Sequence, residues 1–345
     1  MSVALPKLGI SLAYWPWFTY DEQVELAVLA DDLGLDSVWA SEAWGQDTVS
    51  MLGALTVLTE NVRLGTAIMQ LPARPATTAA MAIASLDVMS GGRLCVGIGP
   101  SGPQVSEGWY GAPFGKPLKR TREYLALMRD VIAGETIPEQ VDPDAEGVTG
   151  LGKALRLLVR PERPKVPFYL GATAPKAIEQ CARIGDGWIG FLVDPEHPGP
   201  LLDPLQAALR EAGRTNDDFE TCCLIPTCVA DTVEEAREAV RPWVAFYLGA
   251  MGAKGKNFYV ELAAAYGYGD AATAIQDRYL AGDRAGAEAA VPTDLVDAVT
   301  VAATPDTLAA RLAQFTDAGV DTMICIPCGD TIRTVHELGA VRDRA

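Results

Sequence analysis

The run from Arg93 to Gln104, RLCVGIGPSGPQ, holds residue types suited to gripping an anion. Val96 and Ile98 alternate with Gly97 and Gly99 as a β-strand requires, and the glycines leave room for something to lie against the backbone. Beyond Gly99 the chain must turn. Ser101 and Gly102 then offer a hydroxyl and unhindered N–H groups, the donors that a phosphate takes from a strand-to-helix loop. The same residues also make an ordinary tight βα turn, and they fit neither the dinucleotide fingerprint nor the P-loop pattern.

The elements that would position this loop are strands and helices in alternation. Lys7 to Ala13 reads as a short apolar strand. Thr19 with Glu22 forms a capping box, opening a helix in which Val24, Ala27, Val28 and Leu29 share a face before Gly34 stops it. Asp36 to Ala40 is the next strand. The order helix, glycine, aspartate, strand in LADDLGLDSVWA returns as FTDAGVDTMICI, and in variant form as RIGDGWIGF, with each glycine expected to supply a left-handed cap. Further strands read at Val62–Met69, Arg93–Gly99, Pro167–Gly171, Trp188, Thr221–Ala230 and after Asp321. Eight strands with intervening helices suit an α/β fold of the (β/α)8 TIM-barrel type, here as a single domain over 1–345. The surplus length falls into insertions at about 134–164 and 249–291, after the fourth and seventh strands, expected near the C-terminal rim. The first contains strand-like Ala154–Val159.

Barrel enzymes carry their chemistry just past the strand ends. Here those ends read Tyr14-Trp15, Ser41-Glu42, Met69-Gln70, Gly99 to Gly102, Gly171-Ala172-Thr173-Ala174 and Leu192-Val193. The set is aromatic, small and weakly polar. It has no cluster of His, Asp and Glu suited to a metal and no lysine suited to a Schiff base. Such a site fits a flat organic cofactor that brings its own reactivity. Trp15, Trp17, Trp44, Trp109 and Tyr110 add wide apolar faces for a second flat ligand, the substrate, although each taken singly is equally at home packing a loop.

A formal charge of −17, from 45 acidic against 28 basic residues, argues against nucleic acid or an anionic membrane as partner. No apolar run approaches the ~20 residues of a membrane span, and the N-terminus lacks a charged leader and cleavage site, so a cytoplasmic protein is expected. The seven cysteines read as reduced core thiols, with Cys325-Ile-Pro-Cys328 formally a C-x-x-C.

Several co-linear segments together resemble the bacterial luciferase-like superfamily, and within it the F420-dependent oxidoreductases similar to methylenetetrahydromethanopterin reductase. They are Val38-Trp39-Ala40-Ser41-Glu42, Asn61 to Ile68, Ser90-Gly91-Gly92-Arg93-Leu94, Val96 to Gly99, Ser101 to Val105, Pro167 to Ala172 and Gly185-Asp186-Gly187-Trp188. The resemblance implies a barrel whose third strand ends in a bulge with a non-prolyl cis peptide behind the deazaflavin ring, by position Ala67-Ile68. It implies coenzyme contacts from Ser41, Thr66 and Gln70 near the ring. It further implies contacts from Gly99, Ser101, Gly102, Gln104 and Val105 to the ribityl and phosphate portion, joined by Gly171, Ala172, Thr173 and Ala174, and it implies a homodimer. Lys116, Lys119, Arg120 and Arg122 could line an acidic coenzyme tail, or be a solvated helix start.

Relatives that oxidise alcohols or sugar phosphates carry a histidine after the second strand, where this chain has Ser41-Glu42-Ala43. The resemblance therefore implies hydride transfer between F420 and a small organic substrate, as in reduction of a C=C or C=N bond. Glu42 stands where relatives place a proton-transfer residue; capping a helix or holding a backbone amide is the other role open to it. An FMN-dependent monooxygenase of the same superfamily and a non-catalytic flavin-binding barrel are the alternatives.

Overall fold

The computed structural model describes residues 4–13, 18–163, 165–215, 217–252, 254–255 and 257–344. Among them nine parallel strands form one sheet: β1 Lys7–Leu12, β2 Ser37–Ala40, β3 Arg63–Gln70, β4 Leu94–Gly99, β5 Phe168–Gly171, β6 Gly187–Phe191, β7 Glu220–Val229, β8 Val301–Ala303 and β9 Thr322–Pro327. Their order is β6-β5-β4-β3-β2-β1-β9-β7-β8, and β6 also pairs with β7. Eight of them therefore close into a barrel. The ninth, β8, pairs only with the outer end of β7, at Thr227 to Val229. Three residues without alternation gave the sequence no way to announce it.

Helices cover the outer face, which is why the strands read as nearly unbroken apolar runs. The first shows how the connections are built. Thr19 Oγ1 accepts from Glu22 N at 3.2 Å while Glu22 accepts from Thr19 N at 2.6 Å, the expected box at the start of Tyr20–Asp32. Of the expected Val24, Ala27, Val28 and Leu29, Ala27 is buried, but the stripe turns one step round to Gln23, Leu26, Ala27, Ala30 and Asp31. Asp31 is the cause: its carboxylate accepts from the backbone N–H groups of Glu60, Asn61 and Val62 at 2.6–2.8 Å, which fixes the helix against the entry to β3. Gly34 (φ 65°) and Gly319 (φ 96°) supply left-handed caps. Gly185 does not. It is extended (φ −86°), and a Cβ there would crowd the carbonyl oxygens of Cys181 and Gly187 at 3.0 Å.

The segment 134–163 lies at the N-terminal end of the barrel, opposite the rim where the sequence suggested it. It follows a helix, Pro117–Ile132, that returns from that rim, and Arg163 at its end bonds Asp87 and the carbonyl of Leu94, the first residue of β4. Its strand-like part contributes a single antiparallel bridge, Ile137 to Leu155. The helix Phe258–Ala265 packs instead beyond β6, where the Phe191 ring lies edge-on to Tyr259 at 5.6 Å and tilted against Tyr247 of the helix Val233–Ala250 at 4.0 Å, ring centre to ring centre; Gly269–Leu280 packs on that same helix, Tyr279 against Phe246 at 6.3 Å.

A polar plug closes the barrel floor. Arg63 forks onto Glu220 at 2.9 and 3.0 Å and onto Asp36, while Tyr169 and Thr322 each donate a hydroxyl to Glu220 at 2.5 Å. Burial alone would raise the Glu220 carboxyl, but Arg63 and the two hydroxyls outweigh it and hold the group at about 2. A carboxyl depressed from 4.5 to about 2 contributes stability that is complete above pH 4.5 and lost as pH falls toward 2, on the order of 3 kcal/mol in full. Urea unfolding at a series of pH values should show this loss in the native chain. Glu220→Gln should be less stable at pH 7 and lose part of that acid dependence; an unchanged slope between pH 4.5 and 2 would show that the plug does not carry it.

Candidate active site

The ends of β3 and β4 form the centre of the barrel mouth. The Ala67-Ile68 peptide is cis, and the register of β3 on β4 shifts between Thr66 and Met69. The bulge expected from the resemblance is therefore present at the expected residues. The glycines of β4 have a different use from the one their sequence suggests. A Cβ at Gly97 would stand 2.1 Å from the Thr66 carbonyl oxygen, and one at Gly99 2.2 Å from Ile68 Cδ1. Gly171 on β5 meets the same Ile68 side chain at 3.2 Å. The space these glycines open is filled by the bulge itself.

Two hydroxyls fasten the bulge. Ser41 Oγ donates to the carbonyl of Ala67 at 3.0 Å, with Ser11 Oγ 3.4 Å behind it. Thr66 Oγ1 donates to the Gly97 carbonyl at 2.7 Å and is fully buried. Both residues, expected against the coenzyme, use their hydroxyls inside the protein.

Glu42 is buried at 6% exposure, and its carboxylate accepts from Gln70 N at 2.7 Å and Arg74 Nη2 at 2.6 Å, with Thr48 Oγ1 at 3.4 Å. Arg74 Nη2 also reaches Asp47 Oδ1 at 2.6 Å, and the Arg74 carbonyl accepts from the Tyr124 hydroxyl at 2.9 Å. Burial would lower the Arg74 guanidinium, yet the carboxylates of Glu42 and Asp47 raise it. Burial raises the Tyr124 phenol, and Arg74 opposes that. Arg74 and Tyr124 escaped the sequence reading. Arg74 sits in Leu71-Pro-Ala-Arg-Pro, 32 residues from Glu42, and no spacing rule joins them.

Gln70 pairs with Gly99 across β3 and β4, so its side chain takes the face that Gly97 and Gly99 turn inward. Its Oε1 is buried with no hydrogen-bond partner among the described residues. Ser101 has φ 64°, and Gly102 caps the six-residue helix Pro103–Gly108, which buries Val105 and leaves Gln104 exposed. Gly171, Ala172 and Thr173 are half-buried, and exposed Ala174 leads into Pro175–Ile184 with no side chain capping that helix. Of the aromatic residues, Trp44 and Trp109 are exposed, at 43% and 66%. The Tyr110 hydroxyl donates to the Ala43 carbonyl at 3.2 Å, tying the loop after β4 to the exit of β2. Tyr14, Trp15 and Trp17 lie outside the described residues. Lys116 and Lys119 are exposed at the start of Pro117–Ile132, Lys119 paired with Glu123 at 3.6 Å.

A cleft of about 420 Å³ opens elsewhere, lined by Asp194, Glu196, Arg237, Tyr268, Asp297 and Arg311. Its arginines are already committed, Arg237 to Asp297 and Arg311 to the carbonyls of Asp297, Ala298 and Thr300. His197, in the same cleft, pairs with Asp194 at 3.0 Å, and His336 is exposed within the helix Thr331–Arg344. All seven cysteines are buried and free, and burial raises their thiols. No described helix is long and apolar enough to cross a membrane.

Comparison with known proteins matches this arrangement throughout its length. A protein of Mycobacterium tuberculosis, provisionally named a coenzyme F420-dependent oxidoreductase, is 37% identical over 343 residues, covering 97% of this chain and 98% of its own. The 5,10-methylenetetrahydromethanopterin reductase of Archaeoglobus fulgidus is 29% identical over 328 residues, covering 92% of each chain. Among solved structures, the coenzyme F420-dependent tetrahydromethanopterin reductase from Methanopyrus kandleri shares the fold with a TM-score of 0.82 at 23% identity, over 97% of this chain and 98% of that one. The family model described as luciferase-like monooxygenase matches residues 2–322, and the chain belongs to that family.

Proposed function

We propose that the protein is an F420-dependent oxidoreductase of the luciferase-like family, exchanging a hydride between that coenzyme and a small organic substrate. The names of the relatives in Mycobacterium tuberculosis and Archaeoglobus fulgidus support the coenzyme. The observation on this chain that carries the reading is the mouth itself: its hydroxyls are turned inward to hold the β3 bulge, while one buried acceptor, Gln70 Oε1, is left unpaired. That pattern fits a flat ring presenting an N–H to the wall and bringing its own redox chemistry.

The deazaflavin, when bound, supplies or takes up the hydride. The chain's part is to orient and to exclude water. We assign the ring to the wall formed by Ala67, Ile68 and Gln70. The ribityl and phosphate portion goes to Ser101, Gly102, Gln104 and the turn Gly171 to Ala174, and the substrate to the side of Trp44, Trp109 and Tyr110. A C=C or C=N acceptor also needs a proton. Glu42 is the candidate named by the sequence, but both of its oxygens are occupied, one by Arg74 and one by Gln70 N, which favours the amide-holding role over proton transfer. We read 1–345 as one domain.

A homodimer fits one face in particular. The helix Thr48–Leu58 has no charged residue, and Ala76–Met89 has only buried Asp87, yet Val57, Met81, Val88 and Met89 are exposed. In a chain of charge −17, this is where two copies can approach without repulsion. Met81→Asp should shift sedimentation toward the monomer without lowering the unfolding temperature; an unchanged dimer would place the interface elsewhere, and a wild-type monomer would remove it.

The coenzyme assignment is tested by titrating the purified chain with F420 and with FMN. F420 should bind the tighter. Gly102→Val is a suitable probe, because a Cβ there meets only the flexible end of Gln104, at 3.1 Å, and φ is −107°. It should spare the unfolding temperature yet weaken F420 binding by more than the ~1 kcal/mol of a single hydrogen bond. Tight FMN binding with none to F420 would favour the monooxygenase reading. Binding without turnover across a broad substrate panel would favour the non-catalytic one.

A further inference from the structure

We propose that Arg74 and Glu42 are positioning residues for Gln70, whose side-chain oxygen accepts a hydrogen bond from an N–H on the edge of the bound ring; this rests on the coenzyme reading above. Buried polar atoms are nearly always paired, so a buried acceptor without a partner asks for an explanation. Gln70 Oε1 is such an atom. It belongs to the last residue of β3, opposite Gly99, on the inward face two residues beyond the bulge. A ligand N–H would satisfy it.

The backbone beneath that side chain is held from outside the barrel. Gln70 N donates to Glu42 Oε2 at 2.7 Å, so this carboxylate fixes where β3 ends. Arg74 in turn fixes the carboxylate, reaching Oε1 at 2.6 Å while the same nitrogen bridges to Asp47 at 2.6 Å. The short 3-10 turn Leu71–Ala73 is thereby closed between two anchored ends, Gln70 and Arg74, and Tyr124 secures the second through the Arg74 carbonyl at 2.9 Å. A lysine at 74 would keep the charge but lose the second guanidinium nitrogen, Nη1, which donates to Glu42 Oε2 at 3.4 Å, and with it the rigid fork that orients that carboxylate. Arg74 thus acts on a ligand through the strand end.

The test uses the intact chain and reads two quantities, the dissociation constant for F420 and the unfolding temperature without coenzyme. Gln70→Leu removes the acceptor at similar volume. It should weaken F420 binding about tenfold, with the ligand-free unfolding temperature unchanged or raised, because the orphaned group is gone. Arg74→Lys and Glu42→Gln should each weaken binding when Gln70 is present. In the Gln70→Leu background their further effect should shrink to within about twofold, since they act through that residue. Glu42→Gln serves as the independent arm should Arg74→Lys fail to fold. Two results overturn the proposal: F420 affinity within about twofold of wild type in Gln70→Leu, or full additivity of both positioning variants on top of it. Should the wild type bind FMN and not F420, the coenzyme reading falls separately. The same variants are then titrated with FMN, whose ring presents an equivalent N–H, and the same two outcomes decide. A wild type that binds neither overturns both.

Discussion

The barrel mouth depends on one steric fact, that the end of β3 bulges into space that β4 and β5 have vacated. The Thr66 carbonyl occupies the place of a side chain at 97, and Ile68 occupies the places at 99 and 171. At Gly97 an added methyl group would stand 2.1 Å from the backbone oxygen of Thr66, so the strand itself would have to move, whereas at Gly99 the 2.2 Å contact is with the end of the Ile68 side chain, which would have to turn away. Glycine at 97 and 99 and the bulge at 67–68 are two halves of one feature. Ser41 and Thr66 then lock it by hydrogen bonds to Ala67 and Gly97 carbonyls, which are groups a regular ladder would have paired.

The two ends of the barrel divide the work. At the floor, Arg63, Asp36, Glu220, Tyr169 and Thr322 saturate one another in a compact network, so the interior is sealed where no ligand enters. At the mouth, charge is kept out of the interior. The Glu42, Arg74 and Asp47 cluster holds the strand end from behind, through the Gln70 amide, and the inward face carries uncharged groups, Ile68 and Gln70 among them.

Much of the fold was legible because it rests on local rules. Periodicity gave the eight barrel strands to within a residue or two, the Thr19 and Glu22 box opened its helix where expected, and left-handed Gly34 and Gly319 returned the chain to the sheet. What escaped depends on partners distant in sequence. The stripe of the first helix turns toward Asp31 because three amides at 60–62 need an acceptor, and the side of the barrel taken by 134–163 follows from where the preceding helix ends. β8 exists only because the long β7 outruns the barrel and leaves Thr227 to Val229 free to pair. Within the site, the bulge was located through likeness to other chains, whereas Arg74 could not be found by either route.

The fate of Gly97 and Gly99 shows how missing side chains can serve the fold itself. Sequence read their missing side chains as clearance for a ligand, yet the clearance is taken by Thr66 and Ile68. They let β3 present Ile68 inward, with Gln70 opposite Gly99 at the strand end. Gly102 is the reverse case. Its added methyl group would meet only a movable Gln104 side chain, so the protein itself makes little demand for glycine there. Gly102 stands at the N-cap of the helix Pro103–Gly108 beside a serine held at φ 64°, so its contacts are set by the turn and not by packing against the barrel.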